Sequence, residues 1–165
     1  MNTETLIHVR PAKLTDAGVL CDLLNEIIRI GGTTAYEIPM TVDEFSFLSG
    51  PNFVSCFVAE DEKSGLLLGF QTLERHVELP DEGNIATYAR PEPKIPGVGT
   101  ALFAATRVKA YGSALSAINA TIRADNAAGL AFYKKMGFED YKITKAVPLK
   151  DGTPVDRVSK RYFVC

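Results

Sequence analysis

The chain has 165 residues, a length typical of one domain, which we expect to span residues 1–165. Hydrophobic residues make up 46% and charged residues 23%, proportions that exclude a disordered, collagen-like or coiled-coil protein. The formal net charge of −2 excludes a general electrostatic attraction to nucleic acid or to anionic membranes.

The first predicted elements are a short strand and an amphipathic helix. Residues 7–9 are apolar and end at Arg10-Pro11, which is typical of an edge strand. Thr15 is a candidate N-cap for a helix that ends at Gly31-Gly32. The apolar side chains of this helix recur at i, i+3 and i+4 and comprise Val19, Leu20, Leu23, Leu24, Ile27 and Ile28.

The rest of the chain predicts further strands and helices around one sheet. Thr41 and Glu44 have the spacing of a capping box, which predicts a second, short helix through Leu48. Strand patterns follow at 53–60, 66–75, 84–89, 115–122, 138–148 and 155–164, and helical patterns at 100–110 and 127–136. This order lacks the regular alternation of a doubly wound fold. We therefore predict a mixed α+β domain with one central sheet and helices on both faces.

A glycine-containing loop leads into the helix at 100–110. Residues 94–99 read KIPGVG, and glycines allow the backbone to approach a ligand closely. The unpaired N–H groups at a helix start attract anions, so the pattern suits a pyrophosphate; the alternative is a simple strand-to-helix turn. Leu102 breaks the six-residue dinucleotide fingerprint and no nucleotide-binding P-loop is present, so neither of those sites is indicated.

A second motif follows the strand at 115–122. Residues 126–138 read NAAGLAFYKKMGF, which is an Asn, a small-residue helix start, Phe-Tyr and a closing Gly-Phe. Together with the loop at 94–99, this motif resembles the GNAT superfamily of N-acetyltransferases. The resemblance runs over residues 84–138. It implies a mostly antiparallel sheet in which two parallel strands, 84–89 and 115–122, splay apart around the cosubstrate acetyl-CoA.

The resemblance also implies which residues bind acetyl-CoA. Backbone amides of residues 97–100 would hold the pyrophosphate, and Asn126 would contact the pantetheine or the adenosine. The full cofactor-binding set is Tyr88, Ala89, Lys94, Gly97, Val98, Gly99, Thr100, Asn126, Tyr133 and Lys135. Two positions depart from the family pattern, since Pro96 lacks an amide donor and Lys94 stands where Arg or Gln is common. No metal is implied.

Tyr133 is the predicted catalytic residue. The resemblance implies direct transfer, in which an amine attacks the thioester carbonyl without an acyl-enzyme intermediate. The departing thiolate needs a proton or a hydrogen bond, and a tyrosine hydroxyl can supply either, so Tyr133 is the candidate general acid. The alternative is a packing role on an amphipathic helix, which we expect for the neighbouring Phe132.

The N-terminal half is similar to the phosphinothricin-acetyltransferase-like group. Residues 33–37 read TTAYE and resemble the acceptor-side loop of that group. The acceptor pocket would be shaped by residues 30–41 and 74–82, and the predicted substrate-binding residues are Tyr36, Glu37 and Glu74. Relatives usually carry a Glu where this chain has Asn84, and Asn cannot act as a base. The substitutes by residue type are Glu37, Glu74, His76, Glu78 and Glu82, and the spacing does not select among them.

These observations predict an acetyl-CoA-dependent N-acetyltransferase that acts on the primary amine of a small molecule, such as an amino acid or its analogue. Two alternatives stay open: acetylation of a protein N-terminus or lysine, and a CoA-binding domain without catalysis. By fold analogy we expect a homodimer paired through the final strand at 155–164, and no nucleic-acid or membrane partner.

The cysteines indicate a reducing compartment. Cys21, Cys56 and Cys165 show no paired spacing, and two histidines are too few for a zinc site. The N-terminus lacks a signal-peptide pattern, and no apolar stretch approaches the roughly 18–20 residues that span a bilayer. We therefore predict a cytoplasmic protein with reduced thiols.

Overall fold

The computed structural model describes residues 4–164, so Cys165 lies outside the described residues. The elements are β1 (Ile7–Pro11), α1 (Ala17–Ile30), β2 (Phe53–Asp61), β3 (Leu67–Arg75), β4 (Glu82–Ala89), α2 (Val98–Gly112), β5 (Ala117–Arg123), α3 (Ala127–Lys135), β6 (Glu139–Pro148) and β7 (Pro154–Phe163). The strands form one sheet in the order β1-β2-β3-β4-β5-β7-β6. Neighbouring strands are antiparallel except β4 and β5, which run parallel.

Helices cover both faces of this sheet. On one face, α1 packs against Cys56, Val58 and Phe70. On the other face, α2 packs against Ala59 and Leu68. Since successive side chains of a strand point to opposite faces, β2 supplies both cores from adjacent residues. The predicted fold class is confirmed.

The parallel strands separate halfway along their length. Pairing between β4 and β5 is limited to Glu82, Gly83 and Asn84, which face residues 117–119. Beyond this point β4 continues to Ala89 beside β3 alone, while β5 continues to Arg123 beside β7. The expected splayed pair is therefore confirmed, and it opens a gap in the centre of the sheet.

The start of α1 differs from the prediction. A 3-10 turn (Leu14–Asp16) precedes the helix, and Thr15 is not its N-cap. Asp16 organises the turn instead, because its carboxylate accepts a hydrogen bond from the Lys13 N–H at 2.7 Å and is held by the Arg10 guanidinium at 2.8 Å.

The predicted short helix at 41–48 is wrong, although its capping bonds are present. The Glu44 N–H donates to Thr41 Oγ1 at 3.2 Å, yet the segment forms only turns. The ring centroids of Phe45 and Phe47 lie 5.0 Å apart, and both rings join one aromatic cluster with Phe70. Residues two apart point in nearly opposite directions on a helix, so packing both phenylalanines inward opposes the helix.

The expectation of an exposed final strand is also wrong. β7 lies between β5 and β6, paired with both along its length. The edges of the sheet are β1 and β6. In the hairpin of β6 and β7, therefore, β7 lies inside the sheet and β6 forms its edge.

Candidate active site

A cavity of about 660 Å³ occupies the gap between β4 and β5. Its walls come from the loop after β4, the first turn of α2, one side of α3 and the segment that follows α1. Of the residues predicted to bind cofactor or substrate, it brings together Tyr36, Tyr88, Ala89, Lys94, Gly97, Val98, Gly99, Asn126 and Tyr133. Thr100, Lys135, Glu37 and Glu74 do not line it.

The edge of β4 presents free backbone groups to this cavity. The Arg90 N–H donates to the Leu68 carbonyl at 2.8 Å, and the His76 N–H donates to the Glu82 carbonyl at 2.9 Å, so even-numbered residues of β4 bond to β3. In an antiparallel pair the intervening residues direct their N–H and C=O groups the other way. Thr87 and Ala89 therefore point these groups into the gap, beyond the reach of β5.

The first turn of α2 supplies backbone donors at the other end of the cavity. Gly97 precedes the helix with φ of 87°, a left-handed conformation that favours glycine. No side chain caps this helix. Its first backbone hydrogen bond runs from the Ala101 N–H to the Gly97 carbonyl oxygen, at 3.0 Å. The N–H groups of residues 98–100 are thus available to an anion, with the positive end of the helix dipole behind them.

Gly99 is required for packing as well as for access. A Cβ at this position would lie 2.6 Å from Cε2 of Phe132, so only glycine lets α3 approach the start of α2 this closely. The packing role expected for Phe132 is therefore confirmed.

Asn126 caps α3 and ties the acceptor-side segment to it. Its Oδ1 accepts from the Gly129 N–H at 3.0 Å, and its Nδ2 donates to the Thr33 carbonyl at 3.1 Å. Arg123 reaches the next carbonyl, that of Thr34, at 3.5 Å. The amide of Asn126 is thus engaged within the protein, and sequence reasoning missed this cross-link because its two ends lie about ninety residues apart.

Tyr133 is buried at the cavity wall. Tyr133 is only 7% exposed, and its hydroxyl oxygen lies 2.9 Å from Thr87 Oγ1. Burial raises the pKa of Tyr133 to about 12, against a smaller lowering by the hydrogen bond with Thr87. The phenol therefore stays protonated throughout the neutral range. Sequence reasoning missed Thr87; the alternation of β4, which turns Thr87 and Tyr88 to opposite faces, was the available signal.

Tyr36 and Tyr88 line the opposite side of the gap, and Glu74 lies near them outside the cavity lining. Tyr88 stacks on Phe70 with ring centroids 4.7 Å apart, on the face covered by α1. Burial, followed by the nearby charge of Glu74, raises the pKa of Tyr36. Burial is also the main reason that the pKa of Tyr88 is raised, with a smaller contribution from Glu74. Glu74 is the cross-strand partner of Asn84, the position where the family resemblance implies a Glu, so the side chains of Glu74 and Asn84 leave the same face of the sheet.

Glu82, Glu37 and His76, three of the other candidates, are engaged in hydrogen bonds elsewhere. Glu82 accepts from Asn119 Nδ2 at 2.6 Å, and Glu37 accepts from the Lys150 N–H at 2.8 Å. His76 accepts from the Glu78 N–H at 3.1 Å within the turn after β3. Among the residues named as substitutes for the missing base, Glu74 alone carries a charge that raises the pKa of Tyr36 and Tyr88.

The described residues contain no cluster of three His, Cys, Asp or Glu side chains that could hold a metal ion. Residues 4–164 likewise include no helix long and apolar enough to cross a membrane.

Solved structures with the same fold are acetyltransferases. No protein-family model and no curated protein matches the chain. An N-acetyltransferase from Staphylococcus aureus Mu50 superposes with a TM-score of 0.86 at 20% identity, over 98% of this chain and 100% of that one. A GNAT superfamily phosphinothricin acetyltransferase from Sinorhizobium meliloti, in complex with acetyl-CoA, gives 0.84 at 22% identity, over 95% and 88%.

A third similar structure acts on a different kind of acceptor. The ribosomal-protein-alanine N-acetyltransferase from Brucella melitensis gives a TM-score of 0.82 at 22% identity, over 94% of this chain and 99% of that one. The chain therefore has the GNAT fold, and the resemblance stated from its motifs is confirmed at the level of the fold. Identities near 20% carry no information on the substrate.

Proposed function

We propose that the chain is an acetyl-CoA-dependent N-acetyltransferase that transfers the acetyl group directly to the primary amine of a small molecule, such as an amino acid or its analogue. One observation carries this proposal. The gap between β4 and β5 joins the two faces of the sheet, so Tyr133 on one face and Tyr36 and Tyr88 on the other line a single cavity. A thioester lying in the gap would be reached by a hydrogen-bond donor from one side and by an amine from the other.

The chain's backbone fits acetyl-CoA. The N–H groups of residues 98–100 suit the pyrophosphate, and Lys94 adds a positive charge at the cavity wall. Thr87 and Ala89 offer N–H and C=O groups spaced as in a strand, which suits the two amides of the pantetheine arm. The solved structure from Sinorhizobium meliloti holds acetyl-CoA in the same fold.

Glu74 is the proposed general base. Its carboxylate takes one proton from the ammonium form of the acceptor, and the neutral amine then attacks the carbonyl carbon of the thioester. The new N–C bond forms, the C–S bond breaks and its electron pair stays on sulfur. The nitrogen releases its second proton as the amide forms. The balance is one ammonium and one thioester consumed, and one amide, one thiol and one proton produced.

Tyr133 stabilises the leaving sulfur by donating a hydrogen bond. Because its pKa is about 12, whereas an ordinary thiol titrates near 8.5, complete transfer of the proton to the thiolate is unfavourable. A buried donor beside a developing negative charge still lowers the barrier, because a hydrogen bond from a buried group is stronger than one in bulk water.

The fixed position of the segment after α1 supports a small acceptor. Asn126 and Arg123 tie the carbonyls of Thr33 and Thr34 to the turn between β5 and α3, and so hold the segment after α1 over the cavity. An extended peptide would need an open groove at this position.

We also propose a cytoplasmic location and a homodimer. Cys21 and Cys56 are buried and free, which supports a reducing compartment. Because β7 lies inside the sheet, pairing of two copies strand to strand would use one of the edge strands, β1 or β6.

The test is release of free thiol from acetyl-CoA across a panel of amino acids, amino acid analogues and polyamines, with a peptide carrying a free N-terminal alanine as the contrasting acceptor. Mass spectrometry of the acceptor should show one added acetyl group. Acetylation of a small amine supports the proposal, whereas acetylation of the peptide alone, or no release with any acceptor, contradicts it.

A further inference from the structure

A chain of polar side chains runs through the buried layer behind the cavity. Gln71 Nε2 donates to Thr87 Oγ1 at 2.9 Å, and Thr87 Oγ1 lies 2.9 Å from the hydroxyl of Tyr133. Gln71 is fully buried, and its Oε1 has no hydrogen-bond partner in the described structure. A buried amide oxygen without a hydrogen-bond partner destabilises the fold, so an apolar residue would stabilise this layer better.

The hydrogens of this chain can be assigned by counting. A threonine hydroxyl has one hydrogen to donate, and here Gln71 already donates to its oxygen. If Tyr133 donated to Thr87, the Thr87 hydrogen would have no acceptor. If Thr87 donates to Tyr133, the phenolic hydrogen of Tyr133 is directed to the cavity, where a leaving sulfur would accept it. With Gln71 as the donor to Thr87, the second arrangement gives both hydroxyl hydrogens an acceptor during the reaction.

We propose that Thr87 is a positioning residue, supported by Gln71, that directs the Tyr133 hydroxyl hydrogen at the leaving sulfur. This inference rests on the proposed acetyl transfer and adds to it a residue that acts through Tyr133. Hydrogen bonds in series polarise one another, so Gln71 and Thr87 also make Tyr133 a stronger donor. The proton-donating side of the site thus depends on two strand residues in addition to the helix residue.

The experiment compares two substitutions of Thr87 with one matched control. Thr87→Val keeps the shape and removes the hydroxyl, and Thr87→Ser keeps the hydroxyl. Thr106→Val is the control, because it makes the same change at a buried threonine whose hydroxyl has no partner and which does not line the cavity. We expect kcat to fall about 10-fold in Thr87→Val with KM for acetyl-CoA changed less than 2-fold, about 1.4 kcal/mol of transition-state stabilisation. Thr87→Ser should stay within about 3-fold of wild type, and Thr106→Val should be unchanged.

A double-mutant cycle separates positioning from packing. In a Tyr133→Phe background no hydroxyl remains to be directed, so adding Thr87→Val should lower kcat no further. Independent, multiplicative losses would show a packing role and overturn the inference, as would wild-type turnover in Thr87→Val. If Thr87→Val does not fold, Gln71→Met takes its place in the cycle, with an expected loss of about 3-fold that again vanishes beside Tyr133→Phe.

The outcomes also distinguish this inference from the proposed function. A wild-type protein that releases no thiol with any amine overturns both. A wild-type protein that acetylates an amine, slowed by Tyr133→Phe but not by Thr87→Val, overturns the positioning role and leaves the proposed function intact.

Discussion

The two sides of the gap are built in different ways. The cofactor side, residues 94–100 with the free edge of β4, consists of backbone groups whose directions follow from a left-handed glycine and a helix start. The proposed acceptor side, Tyr36, Tyr88 and Glu74, consists of side chains from three segments that meet only in the folded chain. A site built from the backbone of one loop can be recognised from a local residue pattern, such as the spacing of its glycines. A site built from side chains of distant segments has no such pattern.

The largest expected effect is on the cofactor side. Gly97→Glu places a side chain and a negative charge at the anion site of α2. We expect the Kd for acetyl-CoA to rise more than 100-fold, about 2.7 kcal/mol, as measured by calorimetric titration.

The matched control for this variant is Gly65→Glu. Gly65 also has a positive φ, 73°, with open space around it, and it lies in the turn between β2 and β3. Both variants should lose a similar amount of stability, about 1–2 kcal/mol for a left-handed non-glycine residue. Equal acetyl-CoA affinity in the two variants would contradict the assignment of the anion site.

On the acceptor side, Glu74→Gln should lower kcat about 100-fold or more, because the amide cannot accept the proton of the acceptor ammonium. The affinity for acetyl-CoA should be unchanged, which contrasts with Gly97→Glu. Glu78→Gln, in the exposed turn after β3, is the control and should behave as wild type. A loss of the same size in both glutamate variants would remove Glu74 from the role of base.

Tyr133→Phe should lower kcat about 10-fold to 100-fold with little change in acetyl-CoA affinity. Since burial raises the pKa of Tyr133 to about 12, the phenol remains a donor at all pH values up to about 10. The ratio of wild-type to variant kcat should therefore be constant from pH 7 to pH 10. A ratio that falls toward one as the pH rises across this range would mean that Tyr133 loses its proton there, against the account given above.

The smallest effect lies outside both sides of the gap. The hydrogen bond with Arg10 is the main reason that the pKa of Asp16 lies below its ordinary value of 3.8. A depressed carboxylate pKa stabilises the fold above the ordinary value, and this contribution is lost as the pH falls through the folded-state pKa. Asp16→Asn should cost about 1–2 kcal/mol of unfolding free energy near pH 7 and progressively less below about pH 4, measured by urea unfolding. A cost that does not shrink in acid would contradict the ion-pair explanation.

Much of the fold could be predicted because its determinants are local. The strand and helix patterns place the seven strands and three helices within a few residues, and Gly97 marks the start of α2. Three expectations failed where tertiary contacts decide: Phe45 and Phe47 join an aromatic cluster instead of a helix, Asp16 replaces Thr15 through its ion pair with Arg10, and β7 pairs on both sides.

The site divides in the same way. Backbone donors at residues 97–100 could be anticipated from glycine spacing, as could the tyrosine of α3. The role of Glu74 depends on its register opposite Asn84, and that of Thr87 depends on a contact with Tyr133 across 46 positions of the chain. Neither leaves a pattern along the sequence.

The central claim is that acetyl-CoA occupies the gap between β4 and β5, and thermal unfolding of the wild-type protein in the presence of acetyl-CoA tests it most directly. A ligand that binds only the folded state stabilises it by about 2.7 kcal/mol at 100 times its Kd. We predict a midpoint that rises steadily with acetyl-CoA concentration in the wild type and stays fixed in Gly97→Glu. A wild-type midpoint that does not move at millimolar acetyl-CoA would contradict the account.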